Sequence, residues 1–169
     1  MLINALSTIL TGVVVVGTVV TPLYANQAME TVQFVQANEE EAQCLALNVY
    51  YEARSSNLAD KAGVADVVLN RVADRRYPDT ICGVVQDGYK LGRKDCQFSW
   101  YCDGKPDVPA DLDRWFEAQT IAYNMIEFKE YRGISEGATH YHATYVNPFW
   151  ASSLRMVGRI GAHVYYRWE

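Results

Sequence analysis

The spacing of the apolar residues changes once along this 169-residue chain, and the change limits the folds open to it. Up to residue 127 the apolar residues recur at helical spacing, as at positions 42, 45, 46, 49 and 50. From residue 138 they alternate with polar residues, as in "ATHYHATYV", which favours β-strands. Helices followed by a small sheet predict the α+β class, in one domain with a short appendage.

The first 29 residues carry no charged side chain, and residues 9–25 are apolar with interspersed Gly and Thr. This composition favours an export segment, residues 1–28, that ends near Ala25 or Ala28. Three interpretations are open: a cleaved signal peptide, an uncleaved membrane anchor and a buried helix. The first two bring the segment into contact with the membrane during export and place the remainder outside the cytoplasm. Residues 29–40 predict a linker or a helical extension.

The cysteines and the net charge narrow the setting further. The four cysteines are an even number, which fits disulfides in an oxidising compartment, and the sequence leaves their pairing open. They are Cys44, Cys82, Cys96 and Cys102. The net charge of −5 argues against a nucleic-acid partner, because such proteins usually present a basic face.

Four helices are predicted before residue 130. The first opens at the acidic residues 39–41, and the second spans residues 58–76 with Asn57 or Asp60 as its cap. A short third helix has Asp79 as its expected cap, and the fourth starts near Pro109. The fourth helix should bury a stripe formed by Trp115, Ala118, Ala122, Met125 and Ile126.

Residues 87–108 predict a long loop with an extended segment around "CQFSWYCDG". If this segment is extended, Gln97 and Ser99 share one face, opposite two aromatic rings. Long loops within a compact domain are often functional. Beyond the strand "ATHYHATYV", Asn147 and Pro148 predict the start of a helix, and two short strands follow around Gly158 and Gly161.

Glu52, in the string "YEAR", lies within about three residues of the predicted end of the first helix. The dipole at a helix C-terminus disfavours a carboxylate, and the neighbouring Tyr50 and Tyr51 offer apolar surface. Both effects raise a carboxyl pKa, whereas Arg54 would lower it if its side chain reached Glu52. A carboxyl that keeps its proton near neutral pH is suited to general acid catalysis.

Six strings together resemble the spore-cortex-lytic and cell-wall hydrolase family of the SleB type. They are "LALNVYYEAR", "VADVVLNRV", "YPDTICGVV", "CQFSWYCDG", "GATHYHATYVNPFWA" and "IGAHVYYR". The resemblance covers roughly residues 42–168 and implies a fold like that of lysozymes and lytic transglycosylases, with residues 41–169 as catalytic domain. It implies cleavage of peptidoglycan glycan strands, with Glu52 as the catalytic acid. Ser55 and Ser56 replace the Gly and Glu that usually follow in this family.

Two further motifs provide candidate substrate contacts. In "THYHAT" a strand would place His140 and His142 on one face and Thr139 and Tyr141 on the other. Either face could line a sugar groove, so Thr139, Tyr141 and His142 are candidates, together with Gln97 and Ser99. The two histidines with His163 could instead bind zinc, or could be structural.

The expected activity is cleavage between N-acetylmuramic acid and N-acetylglucosamine by a lytic transglycosylase, without a cofactor. No second carboxylate has a supporting pattern; Asp66 and Asp103 are the nearest candidates, and a transglycosylase needs only one acid. Asn70 and Arg71 could support the site or form a polar helix face. A zinc-dependent amidase and a non-catalytic peptidoglycan-binding module are the alternatives.

Overall fold

The computed structural model describes residues 22–89 and 96–169, and the chain divides between Phe34 and Val35 into two units. The first helix, α1, spans Pro22–Ala53, so residues 29–40 form the helical extension and not the linker, and the helix starts before the acidic residues 39–41. The chain has no Gly or Pro between residues 23 and 39 to interrupt a helix. The predicted export segment lies outside the described residues except for residues 22–28. No described helix is both long and apolar enough to span a membrane.

Three further helices lie in the second unit: α2 (Leu58–Val72), α3 (Ile81–Val85) and α4 (Leu112–Glu127). The side chain of Asn57 caps α2, as predicted, by accepting a hydrogen bond from the Asp60 backbone at 3.0 Å. Thr80, and not Asp79, caps α3, because its hydroxyl accepts from the Gly83 backbone. The start of α4 lies after Pro109, since Asp111 is its cap.

The core of the second unit is formed by the inner faces of all four helices. Ala118, Ala122 and Met125 of the predicted α4 stripe are buried in it, while Trp115 and Ile126 pack at its edge. The structure adds Ile121, which is buried as well. A disulfide between Cys44 and Cys82 joins α1 to α3 beside this core.

The segment around "CQFSWYCDG" forms a 3₁₀-helix, Ser99–Cys102, and is not extended as predicted. A disulfide between Cys96 and Cys102 closes it. Phe98 and Trp100 are nevertheless buried while Gln97 and Ser99 are exposed. The predicted alternation of inner and outer side chains is therefore present on a different backbone.

Three antiparallel strands follow the helices: β1 (His140–Ala143), β2 (Arg155–Ile160) and β3 (His163–Arg167). Their order is β1-β3-β2, with Tyr141 opposite Tyr165. Between β1 and β2 lies a 3₁₀-helix, Phe149–Ser153, and neither Asn147 nor Pro148 caps it through a side chain. The helical domain with a small C-terminal antiparallel sheet confirms the predicted α+β class.

Candidate active site

Glu52 lies at the end of α1, where the helix meets the sheet. It is the penultimate residue of this helix, which ends at Ala53, so the predicted helix end is confirmed. Its side chain is half-buried. The dipole at the C-terminus of a helix disfavours a negative charge at such a position.

The hydroxyl of Tyr141, on β1, donates a hydrogen bond to Oε2 of Glu52 at 3.1 Å. Burial raises the pKa of the Glu52 carboxyl, and this effect exceeds the lowering by Tyr141, His163 and Arg71. Burial, together with the neighbouring Glu52 carboxyl, raises the pKa of Tyr141 well above its usual value, so Tyr141 remains a donor. The site thus combines a carboxyl whose pKa is raised by burial with a donor that stabilises its carboxylate form.

The residues flanking Glu52 in sequence are directed elsewhere. Tyr50 is buried in the core, and its hydroxyl accepts hydrogen bonds from the backbone of Ala110 and Asp111 at the start of α4. The guanidinium of Arg54 lies over the Tyr50 ring, 5.4 Å from its centroid. Arg54 is therefore not among the groups that lower the Glu52 pKa.

Arg71, on α2, is the cation that faces Glu52. It is 5% exposed, and its Nε donates to the backbone carbonyl of Thr139 at 2.8 Å. Its guanidinium also lies over the rings of Tyr77 and Phe98. Arg71 thereby fixes the chain just before β1, which positions Tyr141 opposite the end of α1.

The two faces of β1 have different surroundings. Tyr141 packs against His163 and Tyr165 on the face towards α2, with ring centroids 5.1 and 5.8 Å apart. His140 and His142 pack against Trp150 on the other face. The predicted alternation along "THYHAT" is present, and Tyr141 is the member of the motif that contacts Glu52.

The structure gives protein partners to two of the candidate substrate contacts. Thr139 is only 3% exposed, and its hydroxyl accepts from the Trp168 backbone, which leaves it no accessible surface for a sugar. His142 hydrogen-bonds the Tyr166 hydroxyl on the sheet face opposite Tyr141. Both were predicted from the strand pattern, which specifies the face of a side chain but not what covers that face.

The histidines do not form the zinc site that was considered. His140 and His142 lie on one face of the sheet, whereas His163 lies on the other and binds Asp60. Burial and the nearby cations Arg71 and Arg76 lower the pKa of His140 to about 4. Within residues 22–89 and 96–169, no three His, Cys, Asp or Glu side chains are grouped as metal ligands.

Gln97 and Ser99 lie on a loop that packs beside the end of α1. Trp100 in this loop stacks on Tyr51, the neighbour of Glu52, with centroids 4.7 Å apart, and donates to Asn48. The two candidates themselves are exposed. They are therefore accessible polar groups on a loop fixed next to the catalytic candidate.

The other polar candidates have structural partners. Asn70 donates to Ser135 and to the carbonyl of Ala138. Asp66 is fully buried and accepts from the backbone of Gly133 and Ser135. Asp103 pairs with Lys105 on the exposed loop. None of these contacts involves Glu52.

Asp60 and His163 form a buried pair behind Tyr141, 2.8 Å apart, that the sequence did not predict. The pattern indicated Asp60 only as a possible helix cap and His163 only as a possible zinc ligand. The one local signal is the glycine at position 161, which allows the chain to approach α2 closely.

Two solved structures share this fold. The catalytic domain of the Bacillus cereus SleB protein matches with a TM-score of 0.56 and 23% identity over 76% of this chain and 91% of that one. The catalytic domain of the germination-specific lytic transglycosylase SleB from Bacillus anthracis matches with a TM-score of 0.58 and 22% identity over 75% of this chain and 93% of that one. At these identities the likeness establishes the fold.

The family follows from sequence. A profile of the cell wall hydrolase family matches residues 55–166, well over half of the chain, and the protein belongs to that family. It is therefore an enzyme of the cell wall, a structure that lies outside the cytoplasm. No curated protein matches the chain. The profile match begins after Glu52, so the case for this residue rests on its geometry.

Proposed function

We propose that this enzyme cleaves the bond between N-acetylmuramic acid and N-acetylglucosamine in peptidoglycan, as a lytic transglycosylase with Glu52 as its acid and base. The observation that carries the proposal is the half-buried Glu52 carboxyl, with a raised pKa and a hydrogen bond from Tyr141. A general acid must hold its proton at the working pH, and burial shifts the Glu52 pKa in the direction that this role needs.

The reaction needs two proton transfers at one carboxyl. Glu52 first protonates the glycosidic oxygen, the bond from this oxygen to the anomeric carbon breaks, and the N-acetylglucosamine hydroxyl leaves. The Glu52 carboxylate, stabilised by Tyr141, then removes the proton from the 6-hydroxyl of the N-acetylmuramic acid. The 6-oxygen of the N-acetylmuramic acid then bonds to the anomeric carbon of the same sugar, which gives a 1,6-anhydro sugar. This step consumes no water and leaves Glu52 protonated again.

A mechanism with a single carboxylate agrees with the positions of the other acids. Two-carboxylate glycosidases place their groups about 5–10 Å apart across the sugar. Asp66 is occupied by the segment around Gly133 and Ser135, and Asp103 by Lys105. By analogy, the fold shared with the Bacillus anthracis lytic transglycosylase favours transglycosylation over hydrolysis.

We assign substrate positioning to Gln97 and Ser99, whose exposed amide and hydroxyl suit sugar hydroxyls and acetamido groups. We also propose that residues 1–28 direct export of the enzyme, as a signal peptide or as a membrane anchor. Two disulfides among the described cysteines agree with an oxidising compartment.

Replacement of the catalytic candidate tests the proposal. Glu52→Gln keeps the shape of the side chain but has no proton to transfer, so clearing of purified cell walls should fall by about 10²–10⁴-fold. Turbidity loss measures the activity, and circular dichroism measures the fold.

Glu41→Gln is the matched control on the same helix. The Glu41 carboxylate accepts from the backbone of Ile81 and Cys82 at the start of α3, which is a structural role. This variant should clear walls at the wild-type rate with a slightly lower melting temperature. Wild-type activity in folded Glu52→Gln would refute the assignment of Glu52.

A further inference from the structure

Asp60 joins α2 to the β2–β3 hairpin. It is fully buried in the first turn of α2, and its carboxylate accepts three hydrogen bonds from the hairpin. The donors are the Ala162 backbone at 3.1 Å, His163 Nδ1 at 2.8 Å and the Tyr165 hydroxyl at 3.2 Å. One carboxylate therefore fixes the hairpin at three residues, one in the turn and two on β3.

Two glycines make this approach possible. Gly161 has φ +56°, and a Cβ there would lie 2.7 Å from Cβ of Asp60. A Cβ on Gly63 would lie 2.5 Å from the Tyr165 hydroxyl. Both surfaces are small where they meet, so the hairpin is seated against α2 with little freedom to shift.

The charge of Asp60 also determines that Nδ1 of the His163 ring carries a proton. Burial raises the pKa of the Asp60 carboxyl, but the hydrogen bonds from His163, Ser56 and Ala162 outweigh it and the pKa is lowered. A carboxylate only accepts hydrogen bonds, so Nδ1 of His163 carries a proton and the orientation of the ring is fixed.

The two side chains held by Asp60 are the ones that pack against Tyr141. The rings of His163 and Tyr141 pack edge to face, with centroids 5.1 Å apart and an interplanar angle of 76°, and the Tyr165 ring lies 5.8 Å from that of Tyr141. The hydroxyl of this same ring donates to Glu52. A continuous set of contacts therefore runs from Asp60 through His163 and Tyr165 to Tyr141 and Glu52.

We propose that Asp60 and His163 are positioning residues that hold the Tyr141 hydroxyl on Glu52 during its acid–base cycle. The inference rests on the proposed function of Glu52. When Glu52 has given up its proton, the donated hydrogen bond stabilises the carboxylate, and this requires the hydroxyl to stay aligned. Among the residues that the structure describes, the groups on other elements that lower the Glu52 pKa are Tyr141, His163 and Arg71.

A double-mutant cycle between His163 and Tyr141 tests the coupling. His163→Asn retains a donor for Asp60 but removes the ring that packs against Tyr141, and Tyr141→Phe removes only the hydroxyl. Each variant should lower kcat for cleavage of purified peptidoglycan by about ten- to a hundredfold, with little change in KM. In the Tyr141→Phe background, His163→Asn should cost less than twofold more.

The pH profile provides a second readout. Loss of the Tyr141 hydrogen bond removes a contact that lowers the Glu52 pKa, so this pKa rises. Because Glu52 acts first as an acid, the alkaline limb of the activity profile should move to higher pH in Tyr141→Phe and, through misalignment of the same hydroxyl, in Tyr165→Phe, which leaves His163 unchanged. Asp66→Asn is the control, because Asp66 is a buried carboxylate on α2, as Asp60 is. This variant should lower the stability of the protein and leave the alkaline limb in place.

If His163→Asn does not fold, Tyr165→Phe takes its place, because it keeps the ring but loses the bond to Asp60. Tyr165→Phe should lower kcat about threefold. This loss should be absent in the Tyr141→Phe background. Equal losses in both backgrounds, or an unmoved alkaline limb, would overturn the inference. Activity in Glu52→Gln would overturn the proposed function instead, so the two failures are distinguishable.

Discussion

Gly161 illustrates how one residue restricts the position of the whole hairpin. It has a positive φ of +56°, which L side chains rarely adopt, and it lies directly against Asp60. Sequence indicated a turn at this glycine, and the structure confirms a turn there. The partner across the gap, about a hundred residues away in sequence, was not predictable because no local pattern encodes it.

Gly161→Ala should destabilise the protein more than Gly104→Ala. Gly104 has φ +78° with no atom near its missing Cβ, so Ala there meets the backbone cost alone, about 1–2 kcal/mol. At position 161 the new Cβ also collides with Asp60. Urea unfolding of both variants gives the difference, and equal losses would contradict the close contact with Asp60.

At the scale of elements, the sequence predicted the features that depend on residues close together in the chain. The cap of α2 and the alternation in β1 followed from Asn57 and from "THYHAT". The start of α1 did not, because the acids at 39–41 are equally compatible with the middle of a helix. The backbone of "CQFSWYCDG" was also missed, since a six-residue disulfide loop favours a tight turn over an extended segment.

The two disulfides should differ in their contribution to stability. Cys44–Cys82 closes 38 residues, whereas Cys96–Cys102 closes 6. The chain-entropy model predicts a loss of about 4 kcal/mol for a Cys44→Ala/Cys82→Ala variant and about 2 kcal/mol for Cys96→Ala/Cys102→Ala. Urea unfolding of the two double variants measures this order, and the reverse order would contradict the entropic account.

At the scale of the whole molecule, the α+β class and the position of Glu52 at a helix end were predictable, but the surroundings of Glu52 were not. Its donor, Tyr141, lies 89 residues further along the chain. The strand pattern placed Tyr141 on a face without revealing that α1 ends against that face. The supporting Asp60–His163 pair spans 103 residues and depends on the same packing of the sheet on the helices.

The fragments released from purified peptidoglycan test the central claim most directly. Mass spectrometry of the wild-type digest should show muropeptides that end in 1,6-anhydro-N-acetylmuramic acid, and Glu52→Gln should release none. Fragments with reducing ends would show hydrolysis, and free stem peptides would show an amidase. Either product in place of anhydro ends would contradict the account, as would wall binding without any release.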